Sequence, residues 1–401
     1  MPAAGGDDRA GRAHGGGGGT VSGPTVGLRV AFLAGTLDPG GAEKQLVYMV
    51  RALTSAGVAV RVCSITEGER LEEDLRRIGV PPVWVGRRSQ PLLRAVALAR
   101  ALRDFRPHVL QAAHFYTNLY VSAVAPLYRA IAIGAVRNDV FHEIASNGRW
   151  GRWLLQKPPN LLANSYAAKR NAEQLGVAPE TVHVVPNAID LAEFAHLTLT
   201  GPRVPNHTGI LVAAVGRLLA HKRFDRFLTA LALARREVPA VHGILVGDGP
   251  ERQRLEQLAQ QLGLLPDAVR FLGHRWDVGP LLCNDTDVLM LTSDQEGFPN
   301  VVLEAMAAGV PVVTTPAGDA GAVVQDQVTG YVVPFDNVGQ LAERIMQLAR
   351  SPEQRRRFGA AGRSRVAQEY GFERLAGHLL ASYRVFAERG ANRRALAVLR
   401  Q

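Results

Sequence analysis

Glu296-Gly-Phe-Pro-Asn-Val-Val-Leu-Glu304-Ala-Met-Ala-Ala-Gly309-Val-Pro311 is the stretch from which the architecture of this chain is read. Two carboxylates stand eight residues apart, the first on a Gly-Phe-Pro turn and the second inside an apolar helix. The apolar run Val288 to Leu291 leads into the turn, and Pro311 to Thr315 follows the helix. The segment therefore reads strand, loop, helix, strand. Pro299 suits the first helical position, where a missing N–H has no partner to lose. The amides just beyond it are free, and the helix dipole makes that end attractive to a phosphate. One segment thus offers an anion site and two acceptors for sugar hydroxyls. A solvated helix carboxylate and a loop charge would account for Glu304 and Glu296 one at a time. Their joint placement with Pro299 between two buried strands favours a site.

The same alternation runs outward in both directions. In the first half, strands are expected at Leu28 to Leu33, Val58 to Ile65, Val83 to Val85, Val109 to Ala112, Ala130 to Val136, Asn160 to Ala163 and Val182 to Val185. In the second half they are expected at Gly209 to Val215, Val241 to Val246, Ala268 to Leu272, Asp287 to Leu291, Val310 to Thr315 and Gly330 to Val333. Helical patterns separate them, beginning with Ala42, Leu46, Val47, Val50 and Leu53 on one face and a stop at Gly57. Such alternation implies parallel sheets covered on both faces. The expected architecture is α/β, with two Rossmann-like domains facing a central cleft and ligands at the strands' carboxyl ends. Residues 1–25 read as a Gly-rich tail, 26–200 as the first domain, 201–375 as the second and 376–401 as a helix returning to the first. The linker is placed at Thr198 to His207.

Composition narrows the function classes. The chain has 401 residues, 47% of them hydrophobic, which suits two globular domains. No apolar run approaches a membrane span, and Gly15 to Gly19 stands where a secretory signal would need an apolar stretch. Cys63 and Cys283 are expected to be buried free thiols, consistent with a cytoplasmic setting. The net charge of +10 is carried mainly by Arg. From Pro91 to Phe105 a helix with Leu92, Leu93, Val96, Leu98 and Leu102 lies among basic residues. A solvated face is the preferred reading. The alternative is peripheral contact with an anionic membrane on its inner face. Trp150, Trp153, Leu154 and Leu155, with Arg149, Arg152 and Lys157, could form an interfacial anchor, and ordinary half-buried packing is the preferred reading. Nothing in the motifs points to nucleic acid.

Several turns could do chemistry. Arg217 and Lys222 follow the strand ending at Val215 and precede a helix, where a pyrophosphate would dock. Arg217 can fork to phosphate oxygens, and Lys222 can act as a point charge. Gly249 lies in another strand-to-helix turn. Gly40 and Gly41 form a two-glycine turn that permits close approach of backbone to ligand, and fall short of a dinucleotide fingerprint. His114 sits just past a strand end. Asn118, Arg137 and Asn138 are similarly placed and could bind acceptor hydroxyls. Asp285-Thr-Asp287 is discounted as a metal pair because Asp287 opens a buried strand at its amino end.

Taken together, residues 28 to 385 resemble the family-four retaining glycosyltransferases, which have the GT-B fold. The resemblance rests on Gly40-Gly41-Ala42-Glu43, Asn164-Ser165, Val185-Pro-Asn-Ala-Ile-Asp190, Gly216-Arg217 with Lys222, Gly247-Asp-Gly-Pro250 and the Glu296/Glu304 pair. It implies a nucleotide-sugar donor in the second domain and a saccharide, lipid-linked or small-molecule acceptor in the first. Arg217 and Lys222 would hold the donor diphosphate, Glu304 the ribose, and Glu296 with the amides after it the sugar. His114 would reach the sugar from across the cleft. The implied catalytic set is His114, Glu296, Arg217 and Lys222. The implied donor contacts add Gly41, Gly249, Gly297, Phe298, Pro299, Asn300, Val301 and Glu304. Acceptor contacts are expected at Gly40, Asn118, Arg137 and Asn138, with no cofactor and no metal. The family often has Glu where this chain has Ala322, after Gly318-Asp319. A GT-B epimerase and a non-catalytic nucleotide-sugar-binding protein are the alternatives. A phosphorylase would need a cofactor lysine, and Lys is scarce.

Overall fold

The structure is a computed structural model that describes residues 27–87, 90–195 and 209–400. The expected tail 1–25 and the linker Thr198 to His207 lie outside the described residues. The chain forms two parallel sheets. The first holds β1 (Arg29–Ala34), β2 (Ala59–Ser64), β3 (Val83–Trp84), β4 (Val109–Ala112), β5 (Ile131–Val136), β6 (Leu161–Ala163) and β7 (Val182–Val184). The second holds β8 (Ile210–Val215), β9 (Val241–Val246), β10 (Val269–Gly273), β11 (Val288–Leu291), β12 (Val312–Thr314) and β13 (Gly330–Val332). Each strand falls within two residues of its expected place. The ends are trimmed where pairing stops, as at β12, which pairs only over Val312 to Thr314.

Strand order explains where ligands can bind. It is β3-β2-β1-β4-β5-β6-β7 in the first sheet and β10-β9-β8-β11-β12-β13 in the second. Order reverses beside β1 in one sheet and beside β8 in the other. The loops leaving β1 and β4 diverge to opposite sides, as do those leaving β8 and β11, and each pair opens a crevice at the carboxyl edge. These loops carry Gly40-Gly41, His114, Arg217 to Lys222 and Glu296 to Pro299.

Packing fixes the frame. The helix Gly41–Ser55 buries Leu46, Met49, Val50 and Leu53 against β1 and its neighbours. The helix Leu375–Arg389 returns to this lobe and inserts Leu375, Leu379, Tyr383 and Phe386 into the same core. Burial of each such large side chain contributes about 1.5–3 kcal/mol. The second lobe packs Phe227, Leu231, Leu245 and Ile345 on one face, and Leu289, Val302, Leu303 and Met306 on the other.

Two details depart from expectation. The basic helix ends at Leu102, and it buries Leu98 and Leu102 while Leu92, Leu93 and Val96 stay exposed. Cys63 is buried, with burial pushing its thiol up to about 12, but Cys283 is only half-buried. Among the described residues, no helix is long and apolar enough to cross a membrane.

Candidate active site

The second lobe supplies a charged centre. Glu296 is 8% exposed and accepts from Lys222 Nζ at 2.6 Å and Ser293 Oγ at 2.7 Å. Ser293 is itself fixed, since Thr315 Oγ1 donates to its carbonyl at 2.6 Å. Lys222 ends the short turn Ala220–Lys222 after β8, and Glu296 follows β11, so neighbouring strands at the switch point bring the two together. Arg217 is exposed on the same loop, close enough to His221 to help depress that imidazole's pKa after burial, Lys222 and His142 have acted. A cation pair and a hydroxyl-accepting carboxylate therefore share one rim.

The helix Asn300–Ala307 starts one residue later than the sequence suggested. Pro299 has φ −78° and ψ 105° and occupies the N-cap, with its carbonyl accepting from Val302 N at 3.1 Å. An extended ψ keeps Pro299 outside the helix, so the first helical amides are those of Asn300 and Val301. Two expected donor contacts change character. The Phe298 ring is 6% exposed and packs edge-on against Tyr370 in the core, and the Val301 side chain packs against that same core. Only their backbone groups remain for a ligand.

Inter-lobe contacts surround this centre. Glu304 pairs with Lys44 at 2.8 Å, and Asn300 Nδ2 donates to Gly41 O at 3.0 Å. Burial would lower the Lys44 ammonium, but Glu304 and its other neighbours more than offset it and hold its pKa above the ordinary value. Asn187 Nδ2 donates to Asn300 Oδ1 at 2.7 Å and to Phe298 O at 3.3 Å, which buttresses the donor loop. Gly297 packs so closely on the first lobe that a Cβ there would lie 2.9 Å from Asn138 Cα and 3.0 Å from Arg137 O. Gly249 is under similar pressure, with Leu218 O 2.6 Å from its would-be Cβ. Asp319 spans the cleft and accepts from Tyr166 N at 2.7 Å and Ala167 N at 2.8 Å, at the start of the helix Tyr166–Gln174.

In the first lobe, His114 Nδ1 accepts from Gly35 N at 3.0 Å, which places the proton on Nε2, where it meets Glu43 Oε1 at 2.7 Å. Gly40 caps the helix Gly41–Ser55, and the Glu43 carboxylate folds back over it. Sequence reasoning placed Glu43 in a motif but missed it as the partner of His114. The pair is separated by 71 residues. Its only advance signal was the placement of both at strand ends.

Asn118 is corrected. It is fully buried, its Nδ2 donates to Ala135 O and Leu154 O, and its Oδ1 accepts from Ala135 N at 2.7 Å. An amide saturated by backbone ties β5 to the helix Gly151–Gln156 and cannot reach an acceptor. Asn138 remains at the cleft, with its Oδ1 accepting from Asp139 N at 2.9 Å. Arg137 lies beside it, partly exposed, with Nη2 3.3 Å from Met49 Sδ. Glu143 lies on the helix Val140–Ser146, and burial, reinforced by Asp139, pushes its carboxyl up to about 7. Asp287 accepts from Leu211 N at 2.9 Å, so this member of the discounted Asp-x-Asp pair ties its strand to β8.

Two parallel-sheet lobes with a cationic, amide-rich crevice at the switch point define a class that grips a diphosphate-linked group. The model of glycosyl transferases group 1 matches residues 201–365, and that of glycosyltransferase family 4 matches 39–193. The chain belongs to the GT-B glycosyltransferases of group 1. It is a glycosyltransferase with a nucleotide-sugar donor. The lipopolysaccharide core biosynthesis glycosyltransferase LpsD of Rhizobium meliloti is 29% identical over 80% of this chain and 89% of its own. A D-inositol 3-phosphate glycosyltransferase of Kribbella flavida is 28% identical over 88% of this chain and 92% of its own. The fold is shared with Anabaena HepE, solved with UDP and glucose, at a TM-score of 0.76 and 22% identity over 88% of this chain and 99% of that one.

Proposed function

We propose that this enzyme moves a hexosyl group from a nucleoside diphosphate sugar to an acceptor hydroxyl with retention of anomeric configuration. The observation that carries the reading is the convergence of Lys222, Arg217 and the leading amides of the helix Asn300–Ala307 beside Glu296. The bond from the anomeric carbon to the diphosphate oxygen breaks, leaving positive charge on the sugar and an added negative charge on the diphosphate. Lys222, Arg217 and the two amides oppose that anion, and the reading assigns no step to a metal. Glu296 and the Glu43-held His114 orient the sugar, and Glu304 exchanges Lys44 for the ribose hydroxyls. The acceptor hydroxyl attacks on the face the diphosphate leaves, and its proton passes to the departing phosphate oxygen. Contact between the lobes aligns the reactants and excludes water.

The acceptor belongs to the first lobe, in the class of lipid-linked saccharides, polysaccharides or small polyols. We place the enzyme on the cytoplasmic side, with Leu92, Leu93 and Val96 as an exposed apolar edge on a basic helix that can rest on anionic lipid. Thermal-shift screening against UDP-, GDP-, ADP- and TDP-sugars identifies the donor, because a ligand specific to the folded state raises apparent stability. NMR of the product then reads its anomeric configuration. An inverted product refutes retention, and absence of any stabilising nucleotide sugar refutes the donor site.

A further inference from the structure

Tyr116 lies in the short turn Phe115–Thr117 after β4, and Glu143 lies on the helix Val140–Ser146 after β5. β4 and β5 are neighbouring parallel strands, so both groups rise from the carboxyl edge into one bay. That bay opens on the cleft. His142, beside Glu143, has its ring 5.2 Å from that of His221, on the second-lobe turn that ends at Lys222. The Tyr116 ring stacks on His114, with 5.7 Å between centroids and 27° between planes. Since His114 orients the donor sugar in the proposed reaction, the phenol ring lies next to the reacting centre. Gly35 holds both rings in place. Its N–H donates to His114 Nδ1, and a Cβ there would collide with Tyr116 Oη. The ring is thus positioned without any hydrogen bond to its hydroxyl, and the residue is 41% exposed.

The polar groups of the bay are unequally engaged. Glu43 meets His114, Glu69 accepts from Thr36 Oγ1 at 2.8 Å, and Asp139 accepts from His142 N and Asn171. The Glu143 carboxyl is half-buried, and among the described residues it has neither a hydrogen bond nor an ion pair. Such a group loses hydration without recovering it from the protein, unless a ligand donates to it. Burial, then Glu43 and Glu69, push the Tyr116 phenol up to about 12, with Arg94 opposing and Glu143 adding to them. The hydroxyl is therefore a neutral donor at physiological pH, and it is close enough to Glu143 to feel its charge. An aromatic face, a phenol donor and an unengaged carboxyl complement a sugar ring, whose C–H face is apolar and whose rim carries hydroxyls. A linear polyol has no flat face to lay on the ring.

We infer that Tyr116 and Glu143 form the acceptor subsite, and that the group seated there is a pyranose or cyclitol ring, stacked on the phenol with its hydroxyls donating to the carboxyl. The inference rests on the first lobe being the acceptor lobe, and it narrows the acceptor to molecules that present a ring polyol.

The test uses the full chain saturated with UDP and reads weak binding by saturation-transfer difference NMR. The probes are methyl α-D-glucopyranoside, methyl α-D-galactopyranoside, methyl α-D-mannopyranoside and myo-inositol, with glycerol as the linear polyol. At least one ring polyol should bind, with transfer strongest to the C–H groups of one face, and glycerol should not. Tyr116→Ala should weaken that binding about tenfold and Glu143→Ala about fivefold. Tyr116→Phe, which keeps the ring, should stay within about threefold of wild type. All three variants should keep UDP affinity and the wild-type melting temperature, and Glu143→Ala may exceed the latter because a half-buried carboxyl without a partner is removed. Binding of no ring polyol overturns the inference, as does glycerol binding as well as the rings. Equal binding by wild type and either alanine variant overturns it by placing the acceptor elsewhere. A melting temperature several degrees lower in either alanine variant overturns it by making that residue structural. Failure of UDP to bind counts against the donor site instead, and the same probes are then read without UDP.

Discussion

Lys222→Met separates the electrostatic role of this lysine from its structural one. Lys222 Nζ lies 2.6 Å from Glu296 Oε1, with side chains 21% and 8% exposed. Removing one partner of a buried ion pair costs about 3–5 kcal/mol, because the other charge is left uncompensated. Here Ser293 still donates to Glu296 at 2.7 Å and Lys222 is partly solvated. The stability loss should therefore be nearer ~2 kcal/mol. The catalytic loss is separate. Taking away one donor aimed at a developing anion lowers turnover by about 10²–10³-fold, or ~3–4 kcal/mol of barrier. The assay is a double-mutant cycle with Glu296→Gln, reading melting temperature and sugar release from a confirmed donor at saturation. Lys222→Met/Glu296→Gln should regain most of the lost stability, since no buried charge is left unpaired, yet stay as slow as the slower single variant. Activity of Lys222→Met within about threefold of wild type, under 1 kcal/mol of barrier, would refute the reasoning. So would recovery of turnover in the double variant, because the lysine would then serve only to neutralise Glu296.

Three further outcomes are expected. Asp319→Asn weakens two charge-assisted bonds across the cleft and should shift the lobes toward an open state by about 1–2 kcal/mol; small-angle scattering should show a larger radius of gyration without donor, and an unchanged radius would remove Asp319 from closure. Asn118→Ala leaves the Ala135 amide without its acceptor and should cost about 1–3 kcal/mol by denaturant unfolding, while acceptor KM stays at the wild-type value; a raised KM would return Asn118 to the site. The His108 ring accepts from Arg29 N at 3.0 Å, and burial, with Arg29 and Arg394, pushes its pKa down to about 4. The unfolded chain binds this proton near ~6.5, so the ring's contribution is complete above that pH and is lost as pH falls toward 4. His108→Gln should flatten that part of the stability-pH curve, and an unaltered slope would contradict the assignment.

Much of this protein is readable in one dimension. Apolar runs bounded by Gly and Pro place thirteen strands, and Glu296 to Pro311 shows a strand ending in an anion-receptive turn before a helix. These features depend on neighbours a few residues away, which periodicity and turn chemistry encode locally. The motifs around Arg217, Lys222 and Glu296 belong to the same class, because a strand end meeting a helix start is a local event. The roles of other residues depend on partners far along the chain. Glu43 reaches His114 across 71 residues, Asp319 caps a helix whose first residue, Tyr166, lies 153 residues away, and Phe298 turns its ring into the core. Asn118 resembles a ligand contact in sequence and is a strand brace in space. Arg137 is one of many arginines until the folded lobe surrounds it with sulfur and neutral groups. Local pattern specifies which face of an element is apolar. Only the packing of distant elements decides whether a polar group at their edge is satisfied by protein or left for a ligand.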